Sequence, residues 1–455
     1  METEIQYEPW EQVQQLVQAG DVDGLYVYLA TLSPSESART VARLSAEEAA
    51  QLLIILGPEE AARLLEELPE AQAGPLLEEL SAEEAAAILD EMPSDEQADL
   101  LAGLDEEDAA AIVRELPPDS AAEQRQLSQY GPDTAGGLMI TEYLSYPEHV
   151  KVTDVVEDLR THAEEYSTYD VQYAYVVSRD AVLVGVLRLR DLLLATATTS
   201  VSALMIRNPV RVVADASLDE LQQFFDRHRF FGAPVVDTRG SLVGVVRRVD
   251  VEEAVGDRAD QTLLKVSGIV GGEELRSMPL AQRASRRLAW LSINVVLNLI
   301  AASVIAVYQD TLAVAVTLAI FLPIVSDMSG SAGNQAVAVS LRELALGLVQ
   351  PADLFRILLK EAGVGIANGV MLGVLLGVVA WVWQGNAYLG AVVGAALALN
   401  TLVAVLLGGT IPLVLRKFNA DPALASGLLL TTVTDMCGFF FTLSFATVAL
   451  KHLAT

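Results

Sequence analysis

Between residue 286 and the C-terminus the chain carries five apolar runs, about Leu288–Tyr308, Thr311–Val339, Ile357–Trp383, Leu389–Val414 and Ala423–Leu450. At about 1.5 Å per residue, helices of that length cross a hydrocarbon layer of about 30 Å. Lipid offers the backbone no hydrogen bonds, so such runs are expected to be helical. The C-terminal part is therefore read as an α-helical membrane domain of five crossings. Near the middle of the last run stands one carboxylate, Asp435, within Thr431-Thr432-Val433-Thr434-Asp435-Met436-Cys437-Gly438. An ionised Asp at bilayer depth costs ~3 kcal/mol or more, so such residues face wet cavities and mark ion paths. The alternative is a structural hydrogen-bonding group between helices, with the neighbouring threonines as further oxygens.

A hydrophobic fraction of 52% beside a net charge of −31 is explained by splitting the chain. Of its 60 acidic and 29 basic residues, 53 and 21 fall before residue 286, leaving −32 there and +1 beyond. An acidic soluble half is thus joined to a near-neutral membrane half. That charge disfavours nucleic acid as a partner, because phosphates are repelled. It suits a surface that collects cations, and it also serves solubility. The one cysteine, Cys437, excludes an intrachain disulfide, and the four histidines show no metal-ligand spacing. No P-loop pattern is present, which argues against an ATP-driven pump, and a transporter is expected rather than an enzyme. Met1-Glu2-Thr3-Glu4 has neither a basic n-region nor an apolar h-region, so no cleaved signal is expected.

The direction of the crossings follows from the basic residues. Arg283, Arg286 and Arg287 precede the first run, Arg342 and Arg356 lie between the second and third with Lys360 just inside the third, and Arg416-Lys417 follow the fourth. The opposite loops hold Gln309-Asp310 and Gln384-Gly385-Asn386. The positive-inside rule then places the acidic half in the cytoplasm and the C-terminus, with Lys451 as a minor exception, outside. In the second run Pro323 and the small residues from Ser329 to Gly333 predict a break or bend. Asp327 and Asn334 would supply oxygens beside it, as Asn400 would in the fourth run. The plainer alternative is a kinked packing helix.

In the acidic half, residues 1–31 show helical spacing at Trp10, Val13, Leu16 and Val17. From Leu32 a repeat of period 12 begins, marked by Leu44-Ser45, Leu56-Gly57, Leu68-Pro69, Leu80-Ser81, Met92-Pro93, Leu104-Asp105 and Leu116-Pro117. Apolar pairs from Leu52-Leu53 to Ile112-Val113 recur within the units. Ser45 with Glu48 and Ser81 with Glu84 have capping-box spacing. Each unit predicts one short helix, and stacking would build an all-α superhelix over residues 1–133. Glu47, Glu59, Glu83, Asp95, Glu107 and their neighbours are read as its acidic outer face, favoured there by the helix dipole.

A second repeat follows. Leu183-Val184-Gly185-Val186-Leu187-Arg188 recurs 59 residues later as Leu242-Val243-Gly244-Val245-Val246-Arg247, each followed three residues on by an acid, Asp191 or Asp250. Helix, strand, turn, strand, helix in duplicate resembles a tandem pair of cystathionine-β-synthase-type (CBS) modules, assigned to 134–205 and 206–255. Such α/β modules commonly bind nucleotides or ions. Where that family places a Ser or Thr to hold a ribose, this chain has Arg188 and Arg247, so nucleotide binding stays open, and Asp191 and Asp250 are also candidate helix caps. A charged connector over 256–285, with Asp257, Asp260 and Gly271-Gly272, leads to the membrane domain of 286–455.

Taken together, these parts resemble the MgtE family of magnesium transporters. The resemblance rests most on Thr134-Ala135-Gly136-Gly137-Leu138-Met139, on Gly333-Asn334-Gln335, and on Asp421-Pro422-Ala423-Leu424 leading to Thr434-Asp435. It implies a homodimer in the cell membrane that passes Mg²⁺ and is gated by cytoplasmic Mg²⁺. Ions such as Co²⁺ or Mn²⁺, or a non-conducting sensor, are the rival readings. Asp435 is expected to be the main ion ligand of the path, with Asp327 and Asn334 lining it. The expected sensor ligands are Asp250, Glu252, Glu253, Asp257 and Asp260, facing acids such as Glu59 or Asp95. The divalent ion and membrane lipid are the partners this implies.

Overall fold

The computed structural model describes residues 8–166, 169, 172–269, 278, 280–418 and 420–453. They fall into two compact units, one running to Arg258 and including Met278, the other beginning at Ala259.

The first unit opens with α1 (Pro9–Ala19) and α2 (Val22–Leu29). Eight helices follow among the described residues: α3 (Pro34–Val41), α4 (Ala46–Leu56), α5 (Pro58–Glu66), α6 (Glu70–Glu78), α7 (Ala82–Leu89), α8 (Ser94–Gly103), α9 (Glu106–Glu115) and α10 (Pro118–Leu127). Each begins 12 residues after the last. The cause is local. Ser45 and Ser81 accept the N–H of Glu48 and Glu84 at 3.3 Å while those carboxylates accept the serine N–H at 3.0 Å. Pro34, Pro58 and Pro118 sit at the first helical position, where a missing N–H costs nothing. Helices this short are marginal alone. They persist because the paired positions, Leu52-Leu53 through Leu100-Leu101, are buried in one shared core.

Strand β1 (Met139–Ile140) comes next, then β2 (Leu144–Pro147), α11 (Val152–Thr161), α12 (Ala163–Tyr166), β3 (Tyr173–Val177), β4 (Leu183–Arg188), α13 (Leu189–Leu194), α14 (Val201–Leu204) and β5 (Ile206–Arg207). The second copy runs β6 (Val212–Val213), α15 (Leu218–Arg227), β7 (Gly232–Val236), β8 (Leu242–Arg247) and α16 (Arg248–Val266). The sheets are ordered β2-β3-β4-β5 and β1-β8-β7-β6. In each, one parallel pair is followed by two antiparallel pairs. The sheets are interleaved in sequence: β1 precedes the first copy yet edges the second sheet, and β5 edges the first. This explains the repeated glycine. A Cβ at Gly185 would lie 2.5 Å from Met205 Sδ, and one at Gly244 would lie 2.5 Å from Met139 Sδ. Each methionine arrives with the edge strand, so each glycine is the gap it fills.

The second unit holds α17 (Leu280–Val307), α18 (Gln309–Val314), a 3₁₀ turn (Val316–Ile320), α19 (Leu322–Ala345), a 3₁₀ turn (Pro351–Asp353), α20 (Leu354–Gln384), α21 (Ala387–Lys417), α22 (Pro422–Val448) and α23 (Leu450–Leu453). Five segments among the described residues are long and apolar enough to cross a membrane: 283–307, 316–345, 351–384, 387–417 and 422–448. The second and fifth have the lowest mean hydropathy, 1.4 and 1.5, and they carry Asp327 and Asp435. α21 is the most enclosed of the five, whereas α17 is almost wholly exposed in the single chain.

Two expectations are corrected here. The second crossing starts after α18, near residue 316 rather than 311. Its irregular part is the 3₁₀ turn, and Ser329–Gln335 is continuous α-helix. Pro323 lies in the first turn of α19, where a proline starts a helix and does not break it. The small residues serve close packing instead: a Cβ at Gly408 of α21 would lie 2.2 Å from the Gly333 carbonyl oxygen of α19. Gly271-Gly272 of the connector lies outside the described residues. The connector's described helices are the later part of α16, which begins in the second CBS-like copy, and the first residues of α17, from Leu280.

Candidate metal sites

In the membrane unit, α22 begins at Pro422 because Asp421 caps it, its Oδ1 accepting the Ala423 and Leu424 N–H at 2.8 and 3.4 Å. The other oxygen, Oδ2, pairs with Lys265 Nζ at 3.2 Å. Three to four turns along, Asp435 is half-buried and accepts a hydrogen bond from Ser326 Oγ of α19. Asp327, next to Ser326, is exposed and acts electrostatically on Asp435. Asp327, Ser331 and Asn334 share one exposed face of α19. Asn334 is therefore on the same strip as Asp327 but about 10 Å farther along the axis. Thr431, Thr432 and Thr434 give their hydroxyl protons to carbonyls of their own helix, at 2.8, 2.9 and 3.0 Å. Their oxygens keep lone pairs that can still accept. Asn400, read as a further path oxygen, is wholly buried behind α22.

In the soluble unit, the expected outer-face position of Asp95 is overturned. Glu47, Glu59, Glu83 and Glu107, its equivalents in the repeat, are exposed, but Asp95 is 7% exposed. α8 docks by its N-terminus on the second sheet. Glu142 accepts the Ser94 N–H at 3.0 Å and the Ser94 Oγ–H at 2.9 Å, while Ser94 Oγ accepts the Thr141 N–H at 2.9 Å. Arg247 then bridges the two elements, 3.3 Å from Asp95 Oδ2 and 2.7 Å from Asp250 Oδ2. Asp95 and Asp250 are thus brought together, with a guanidinium between them. Burial, reinforced by Asp250, pushes Asp95 up to about 6. Burial with Glu66 and Asp95 pushes Glu96 up to about 8, and burial with Glu70, Asp95 and Asp257 pushes Asp99 up to about 7. Glu253 also acts on Glu96. These carboxylates share a face where protonation or a cation is favoured.

Other expected sensor residues lie elsewhere. Glu59 is exposed and pairs with Arg63 at 2.8 Å, and Glu252 pairs with Arg248 at 3.4 Å. Asp260 is exposed and belongs to the second unit. Glu78, Asp105 and Asp108, which no reading of the sequence grouped, hold carboxylate oxygens within 4.8 Å of one another, all exposed. A cleft between the two sheets is lined by Tyr173, Tyr175, Phe231, Arg247, Arg248 and Glu252. Arg247, at the ribose-holding position of CBS modules, lines it with a guanidinium already engaged by two carboxylates.

A family model described as "Divalent cation transporter" matches residues 322–445, one described as "MgtE intracellular N domain" matches 32–133, and a CBS domain model matches 201–257. The magnesium transporter MgtE of Bacillus subtilis (strain 168) is 34% identical over 328 residues, which is 72% of either chain. The chain belongs to the MgtE family. The protein of the same name from Thermus thermophilus is also 34% identical, over 72% of this chain and 73% of that one. The crystal structure of the soluble part of a magnesium transporter covers 55% of this chain and 98% of its own, at 25% identity and a TM-score of 0.50. The chain is thus a multi-pass membrane protein with a soluble part of MgtE type. Within the family match, Ser326 is the partner that sequence reasoning missed. Its one signal was its place beside Asp327. Arg247 was noticed only as a missing ribose contact, because its partner Asp95 lies 152 residues away.

Proposed function

We propose that this chain moves Mg²⁺ across the cell membrane, with Asp435 as the main ion-binding group and Asp327 and Asn334 lining the path. The observation that carries this is the placement of Asp435 in the middle of a crossing, held by Ser326 and beside Asp327. Mg²⁺ takes oxygen ligands and sheds water reluctantly, so a few carboxylates meeting a partly hydrated ion suit it. The homologues named as magnesium transporters favour Mg²⁺, and the broader family description keeps Co²⁺ and Mn²⁺ as a second reading. The exposed strip of α19 and the exposed, apolar α17 suit assembly with a second copy, which would double the carboxylates along the path. Uptake by proteoliposomes decides the matter. Asp435→Asn is expected to abolish Mg²⁺ uptake in a folded, inserted protein, and wild-type flux in that variant would refute the assignment. Competition by Co²⁺ and Mn²⁺ in the same vesicles ranks the ions.

The finer reading is a gate closed by cytoplasmic Mg²⁺. Asp95, Glu96 and Asp99 on α8, with Asp250, Glu253 and Asp257 on α16, form the acidic face at which bound Mg²⁺ would favour docking of the repeat domain. A cation shifts such an equilibrium only by preferring one state, and ~100-fold preference supplies about 2.7 kcal/mol per site. Glu59 and Glu252 lie in exposed ion pairs and contribute less. α16 carries Asp250 in its first turn and Lys265 in its last, and Lys265 pairs with the cap of α22.

A further inference from the structure

Behind Asp435 lies a contact that touches no ion path. Asn400, in the middle of α21, is 0% exposed, and its Nδ2 donates to the main-chain carbonyl of Thr434 at 3.1 Å. That carbonyl belongs to the residue just before Asp435. Gly438, one turn farther on, leaves room for the amide: a Cβ there would stand 2.8 Å from Asn400 Nδ2, with Val325 of α19 next at 3.6 Å. The same turn of α22 is therefore held from two sides. α21 grips its backbone through Asn400, and α19 grips the Asp435 carboxylate through Ser326.

The arrangement is a poor one for stability alone. Asn400 Oδ1 is buried with no hydrogen-bond partner among the described residues. An unpaired buried amide oxygen costs about 1–3 kcal/mol, which a leucine or alanine would avoid. What the amide provides is direction. One residue of rotation about a helix axis swings a side chain by about 100°, and apolar contacts alone hold that angle loosely. A hydrogen bond from a fixed neighbour to one carbonyl sets it.

We propose that Asn400 is a positioning residue for ion binding: through the Thr434 carbonyl it fixes the rotation of α22 that aims Asp435 toward Ser326 and Asp327. Gly438 is its required partner, because any side chain there displaces the amide. The proposal rests on Asp435 being the ion-binding group.

Mg²⁺ uptake into proteoliposomes is measured for wild type, Asp435→Asn, Asn400→Ala, Gly438→Ala and the double variant Asn400→Ala/Gly438→Ala, alongside the thermal stability of each. Loss of a group that orients a metal ligand costs 10–100-fold in affinity, so Asn400→Ala is expected to raise the KM for Mg²⁺ at least about tenfold with a smaller change in maximal rate. Gly438→Ala should do the same and lower stability as well. In the double variant the new methyl occupies the vacated space, so stability should recover while KM stays high. A merely space-filling Asn400 predicts instead that KM recovers with stability. Wild-type KM in the double variant, or in a folded Asn400→Ala protein, overturns the proposal. Should Asn400→Ala fail to insert, the double variant carries the test alone. If Asp435→Asn abolishes uptake while KM is unmoved in both Asn400 variants, only the positioning role falls. If Asp435→Asn transports normally, the ion-binding assignment falls first.

Discussion

Arg247 joins carboxylates from distant parts of the sequence, and its loss would take from both the guanidinium they share. It lies 3.3 Å from Asp95 and 2.7 Å from Asp250, all three largely buried. Removing one partner of a buried ionic cluster costs about 3–5 kcal/mol, because the remaining charges stay desolvated. Arg247→Ala is therefore expected to loosen α8 from the second sheet, seen as faster proteolysis near residues 94–142 without Mg²⁺. Added Mg²⁺ should restore much of the protection by standing in for the guanidinium, and equal proteolysis of variant and wild type would contradict this. Asp95 was expected opposite Asp250, but its burial was illegible. It occupies the same slot of the 12-residue repeat as Glu47, Glu59 and Glu83, so its spacing assigned it to solvent. A repeat states which face of a unit is polar, but not which unit another domain will cover. Asp435 was legible for the opposite reason: a lone acid in an apolar run is conspicuous without any partner.

At the scale of the element, legibility followed the strength of the local signal. Helix starts in the acidic half were set by caps and prolines within four residues, and the structure places α3 to α10 on that spacing. The membrane helices were plain in length, since hydropathy is local as well. The break assigned to Ser329–Gly333 was misplaced because small residues favour a bend in isolation and close packing in company. α19 is continuous α-helix there, with Gly333 lying against Gly408 of α21. Gly408→Ala would place a Cβ 2.2 Å from the Gly333 carbonyl oxygen, and should lower thermal stability and the yield of inserted protein. Gly363→Ala on α20 meets nothing within 4 Å and should be neutral or stabilising by roughly 0.5–1 kcal/mol, as expected for Gly to Ala within a helix. A similar loss at both positions, read from thermal melts in detergent, would mean that helix contact is not what Gly408 serves.

Over the whole molecule, charge is the largest asymmetry, with −32 in residues 1–285 against +1 beyond. Part of that charge is concentrated where α8 meets the second sheet. Asp95, Glu96 and Asp99 are raised to about 6, 8 and 7 from ordinary values near 4, chiefly by burial. Groups raised in this way bind protons more tightly in the docked form. Their contribution to docking is complete below about pH 4 and is lost as pH rises through 6 to 8. Mg²⁺ would replace those protons, so its effect should grow with pH. Limited proteolysis of the full-length protein at pH 6, 7 and 8 is expected to show Mg²⁺ protection that is small at pH 6 and large at pH 8. Protection that is equal at all three would separate Mg²⁺ binding from these carboxylates.

The crossed edge strands bear on how such a chain could have arisen. β1 completes the second sheet from ahead of the first copy, and β5 completes the first from beyond its last helix. A gene fragment cut just ahead of Met205 would give two three-stranded sheets, each with a bare edge and a vacant notch at Gly185 or Gly244. Neither half is a heritable part in its own right. Duplication, loss or transplantation between genes would have to carry the pair together, along with the residues from Met139 that precede it.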